Sequence, residues 1–126
     1  MYIHYDPNPT GNRAGDCAVR AVAKALGTDW ETAYVMIAVN GYQMGDVMSS
    51  DSVWGSVLRQ HGFKRKTIPD TCPDCYTVEA FCYDNPHGTF VIGTGSHAVC
   101  VQNGNIFDAW DSSKEVPAYV WYKEKK

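Results

Sequence analysis

Asn103-Gly104 lies between two apolar runs, His97-Ala-Val-Cys-Val101 and Asn105-Ile-Phe-Asp-Ala109, and it fixes more of this chain than any other dipeptide. Both central residues of a two-residue hairpin turn need positive φ, which Asn and Gly adopt most readily, so the two runs are expected to pair as antiparallel strands. If Gln102 pairs with Asn105, Val101 faces Ile106, Val99 faces Asp108 and His97 faces Trp110. All of these lie on one side by the period of two. His97 and Asp108 then become diagonal neighbours, roughly 7 Å apart at the backbone. A carboxylate on an imidazole nitrogen orients the ring, sets its tautomer and favours its charged form. Ala98, Cys100, Phe107 and Ala109 take the other face, which suits a core.

The other chemically pointed residue is far upstream. The first sixteen residues, rich in Pro, Asn and Gly, have no period and read as a looping arm ending at Gly15-Asp16. The pattern then changes abruptly to Cys17-Ala-Val-Arg-Ala-Val-Ala-Lys-Ala-Leu26, an Ala-rich helical run with Asp16 placed to cap it and Gly27 to stop it. Cys17 therefore falls in the first turn of a helix, where backbone N–H groups and the dipole favour the thiolate. Thr28-Asp-Trp-Glu31 has the pattern of a capping box opening a second helix through about Val39, and a third is expected from about Ser52 to Gln60. Past Gly62 come strand-like runs at 63–68, 89–92, 97–101, 105–109 and 119–122, with a short helix or turn segment opening at Thr77. Helices first and strands afterwards point to an α+β fold with an antiparallel sheet.

Composition narrows the partners. A chain of 126 residues with 44% hydrophobic and 20% charged residues suits one compact domain, residues 1–126, with no low-complexity tract or repeat. The net charge of −3 argues against a nucleic-acid binder, because the lysines cluster only at Lys64-Arg65-Lys66 and at the tail. No run is long enough to span a bilayer, and Met1-Tyr2-Ile3-His4-Tyr5-Asp6 does not resemble a signal peptide. A cytoplasmic monomer is expected, without nucleic-acid or membrane partners. Five cysteines without a secretory signal fit a reducing compartment, which leaves Cys17 free.

Cys17 in Gly15-Asp16-Cys17-Ala18-Val19-Arg20, His97 in Gly95-Ser96-His97-Ala98-Val99 and Asp108 in Ile106-Phe107-Asp108-Ala109-Trp110 together resemble the papain-like cysteine peptidases. That superfamily carries a Cys at a helix N-terminus in a helical half, then a His and an Asn or Asp on neighbouring strands of an antiparallel half. The order and layout match over nearly the whole chain, and the chain is most similar to small bacterial and phage members such as the bacteriocin-leader-processing peptidases. The resemblance implies a peptidase or isopeptidase, a peptide or protein substrate and no cofactor. It also implies roles: Cys17 as nucleophile, His97 as general base and acid, Asp108 as the group that orients His97. Transglutaminase-like or amidase chemistry uses the same triad, and a binding protein that keeps the fold is a further alternative. The family usually has a Gln oxyanion donor shortly before the Cys. Here Thr10-Gly11-Asn12-Arg13-Ala14 offers Asn12 instead, with the Cys17 N–H as second donor.

Other residues have plainer expectations. Cys72-Pro-Asp-Cys75 has metal-ligand or redox spacing and with Cys82 and His87 would make four zinc ligands, but no second close pair follows, so ordinary loop cysteines are expected, with structural zinc and then a redox or disulfide use of the pair as alternatives. Arg20 is expected on the solvent face of its helix, with aid to the Cys17 thiolate or an anchor for Asp16 as the alternatives. Trp30, Trp54, Trp110 and Trp121 are expected in the core or cleft wall, Trp110 beside His97.

Overall fold

The computed structural model describes residues 1–12, 15–69, 71 and 74–123. Four helices and six strands follow in the order β1 (Tyr2–His4), α1 (Cys17–Leu26), α2 (Trp30–Met44), α3 (Asp51–Gln60), β2 (Phe63–Thr67), α4 (Val78–Asp84), β3 (Thr89–Gly93), β4 (Ala98–Gln102), β5 (Asn105–Asp108) and β6 (Tyr119–Lys123). This is the expected α+β class. The sheet order is β1-β5-β4-β3-β6-β2. It is mixed rather than antiparallel, because β1 runs parallel to β5 with His4 opposite Asp108. That strand lies inside the segment expected to loop, and three residues are too few to display a period of two.

The hairpin forms in the register set by its turn. Asn103 and Gly104 have φ of 50° and 77°, and Gln102↔Asn105, Val101↔Ile106 and Cys100↔Phe107 pair. The ladder closes there, one pair short of Val99 and Asp108. Both faces of the sheet are buried, not one. Ala98 and Cys100 of β4, Val91 of β3, and Tyr119 and Trp121 of β6 pack against Val19, Val22, Ile37, Val53, Trp54 and Val57 of α1 to α3. The alternate residues Ile92, Val99, Val101, Ile106 and Val120 meet Val78, Phe81 and Cys82 of α4. Each fully buried aliphatic side chain contributes roughly 1.5–3 kcal/mol of transfer free energy, so two faces of such residues explain why short strands hold. Close approach matters at Gly55, where a Cβ would come 2.5 Å from the Trp121 ring. A bare backbone on α3 is what lets Trp121 lie flat in that core.

Local signals set the helix ends with two differences. Gly27 ends α1 in the left-handed region with φ 68°, and Thr77 caps α4 by accepting the Ala80 N–H. At α2 the cap is Asp29, whose carboxylate takes the Thr32 N–H at 2.7 Å, and the helix runs five residues past Val39 to Met44, with Gly45 as its C-cap. At α1 Asp16 makes no side-chain cap bond. Its carboxylate is committed elsewhere, to the site described next.

Candidate active site

Cys17 is the first residue of α1 and half-buried against the α1–α3 core. His97 follows the Thr94-Gly-Ser turn at the mouth of β4, where its carbonyl accepts the Thr94 N–H at 2.8 Å. Asp108 closes β5 and is almost wholly buried. These three come together. Cys17 and His97 line one cleft, and His97 and the Ala98 backbone both act on the ionisation of the Cys17 thiol. His97 Nε2 lies 2.6 Å from Asp108 Oδ2, which leaves Nδ1 as the ring nitrogen for the thiol.

The Asp108 carboxylate is held on four sides. Oδ2 accepts from His97 and from the Ser112 hydroxyl at 2.7 Å, while Oδ1 accepts from the Ala109 N–H at 2.7 Å and from Arg20 Nη2 at 3.1 Å. Four donors fill the lone-pair positions of a carboxylate, so the group has one orientation. Arg20 is 7% exposed rather than solvent-facing. Its Nη1 pairs with Asp16, and Trp30 Nε1 donates to the other Asp16 oxygen at 2.9 Å. One guanidinium thus ties Asp16, the residue before Cys17, to Asp108, which holds His97. The expected Asp16 cap is lost because a buried cation is a stronger partner than exposed helix N–H groups.

Electrostatics follow the geometry. Burial pushes the Cys17 thiol up, but the His97 hydrogen bond, the Ala98 N–H and the His97 and Arg20 charges outweigh it and leave the thiol more acidic than usual. Burial pulls His97 down, yet the hydrogen bonds and charges of Asp108 and Cys17 carry it up to about 9. Burial also opposes ionisation of Asp108, and the bonds from His97 and Ser112, the His97 charge and the Ala109 N–H overcome it. Cys82 and Cys100 go the other way. Burial raises both thiols, Cys100 to about 12. Among the free cysteines described, only Cys17 is shifted toward the thiolate, because the N-terminus at Cys82 and Lys24 at Cys100 do not offset burial.

The cleft above the sulfur has a volume of about 810 Å³ and is bounded by Cys17, His97, Asn12, Ser96, Trp110 and His4, among others. Trp110 lies against His97 with ring centroids 4.6 Å apart. Asn12 lines the cleft too, exposed, and among the described residues nothing bonds its side-chain amide. Its backbone is fixed, since its carbonyl accepts from Asn8 Nδ2 and its N–H donates to Thr10 Oγ1. The local Asx turn belongs to Asn8, whose Oδ1 takes the Thr10 N–H at 3.0 Å.

Sequence reasoning missed the buried role of Arg20 and the contributions of Ser112, Ala98 and Trp30. A usable signal existed for the first: Asp16 and Arg20 stand at i and i+4, the spacing of a helical ion pair. Of the other candidates, Cys72 falls outside the described residues. Cys75 is disulfide-bonded and so neither an ordinary loop thiol nor a zinc thiolate, and Cys82 is buried against the sheet. Trp54 and Trp121 are core residues. No helix among the described residues is long and apolar enough to cross a membrane. No family model, curated protein or solved structure matches the chain significantly.

Proposed function

We propose that the protein is a cysteine hydrolase with a papain-like arrangement, acting on a peptide or isopeptide bond of a peptide or protein substrate. The observation that carries this reading is a Cys17 thiol of raised acidity that shares a cleft with His97, whose ring is held by the fully bonded Asp108. In the reaction the Cys17 thiolate attacks the carbonyl carbon and forms a tetrahedral adduct. His97, charged at that stage, gives its proton to the departing amine as the C–N bond breaks. Water then attacks the thioester, yielding its proton to His97, and the carboxylic acid leaves. Asp108 keeps the imidazole in place throughout. The oxyanion is assigned to the Cys17 N–H at the start of α1 and to the Asn12 amide in the same cleft. An amine in place of water gives acyl transfer by the same residues, and the open cleft admits either acceptor.

Alkylation tests this without knowledge of the substrate. Iodoacetamide at pH 6 should label Cys17 about 100-fold faster than Cys82 or Cys100, and His97→Ala should remove that advantage. Slow, equal labelling of all the free thiols would falsify the reading.

A further inference from the structure

Helix α2 is built with its polarity reversed. Its inward side buries Asn40, whose Nδ2 donates to Ser56 Oγ at 2.9 Å and Gln60 Oε1 at 3.1 Å, beside Ala33, Ile37 and Gly41. Its outward side carries Tyr34, Val35, Ala38, Val39 and Tyr42, spaced i, i+1, i+4, i+5 and i+8, which is one continuous stripe on a helix. Tyr42 is 90% exposed, Val35 58%, Val39 46% and Tyr34 42%. Glu31 is the only charged residue in the fifteen of α2. An apolar stripe turned to water on a helix this poor in charge is the signature of a covered face.

We infer that a second copy of this chain covers it, with α2 packed antiparallel on α2 of the partner about a two-fold axis near Ala38 and Val39. The pattern is self-complementary. Antiparallel pairing centred there sets Tyr42 of each copy over Val35 of the other, Ala38 against Val39 and Tyr34 against Gln43, so each aromatic ring meets a smaller side chain. The area is modest. The stripe exposes roughly 450 Å² per chain, so a symmetric pair buries about 900 Å² at most, the size of a weak, transient interface. Glu31 and Asp46 lie beyond the two ends of the stripe, and in this pairing they approach their counterparts with like charge, so screening helps. This dimer replaces the monomer expected from composition and is independent of the chemistry proposed for Cys17.

Sedimentation of the full chain from about 1 µM to 1 mM tests the inference, with half-dimerisation expected on the order of 10–100 µM for an interface this small. Val39→Lys and Tyr42→Glu, both at exposed positions, should each weaken association at least about 10-fold while circular dichroism and the melting temperature stay unchanged. Raising salt from 0.05 to about 0.5 M should tighten the dimer. A monomer across the whole range overturns the inference and leaves the stripe to a different partner. So does a dimer indifferent to both substitutions, or one that salt dissolves, which would place the contact on a charged surface such as the basic β2 edge.

Discussion

On one side of the cleft, Asp108 accepts four hydrogen bonds inside the protein, and the residues that supply them come from α1, β4 and the segment after β5. On the other, Asn12 stands on an arm held by local turns, with its side chain in water. The first wall is fixed by charges that cannot be left unpaired in a buried place, the second by bonds that span only two to four residues. Proton position and thiol acidity therefore belong to the rigid wall, and adaptation to a ligand belongs to the arm.

The severest way to break that asymmetry is to remove the cation beneath the rigid wall. Arg20→Leu strands two buried carboxylates, Asp16 and Asp108, and should cost about 3–5 kcal/mol in urea unfolding. Arg20→Lys keeps the charge but loses the fork that serves both partners, so it should recover part of that stability and not all. A loss below about 1 kcal/mol for the leucine variant would mean that the guanidinium is dispensable and the two walls are alike.

Next in size is Asp108→Asn, which keeps the shape and removes the charge. The amide cannot accept from four donors, and His97 loses its counter-charge. Acylation of Cys17 by an activated ester should fall about 100-fold or more. The His97 titration, followed by NMR, should move from about 9 back toward 6.5.

How far each wall was legible in the sequence follows the same division. His97 and Asp108 could be paired in advance because Asn103-Gly104 fixes a register locally and the period of two carries it outward. Cys17 could be set at a helix start because Gly15-Asp16 breaks the chain immediately before an Ala-rich run. Arg20 could not be placed with the same security, because its burial depends on Asp108, 88 residues away. Ser112 has no signal of any kind in the sequence. β1 escaped notice because a three-residue edge strand is defined by its neighbour β5, not by its own pattern. The apolar outer face of α2 was visible in the letters but could not be set outward from them, since periodicity alone does not say which side of a uniformly apolar helix faces inward.

A milder perturbation is pH. The folded His97 binds its proton more tightly than an unfolded one, so its contribution to stability is complete below about 6.5 and is lost as pH rises through about 9. Cys17 is shifted the opposite way, and its contribution is lost as pH falls through its depressed folded value. The thiolate–imidazolium pair consequently exists in the window between the two, with apparent limits that belong to the pair rather than to either residue. Alkylation of Cys17 should hold a plateau across neutral pH, whereas Cys82 should gain reactivity only above its ordinary thiol range. A single sigmoid for Cys17 centred at 9.0, the ordinary thiol value, would show that His97 does not hold the charge.

The smallest effect is expected at the arm. Oxyanion donors in enclosed sites are worth about 10²–10³ in rate, because nothing replaces them when they are removed. Asn12 is open to solvent, so a water can take over part of its task, and Asn12→Ala should slow acylation of Cys17 by an activated ester only about tenfold. Alkylation by iodoacetamide passes through no oxyanion and should be unchanged, as should the unfolding curve. The ratio of the two rates therefore isolates the oxyanion from the nucleophile. An equal drop in both would mean that Asn12 supports the thiolate and that the arm belongs to the rigid wall. No drop in either would leave the Cys17 N–H as the donor on which acylation depends.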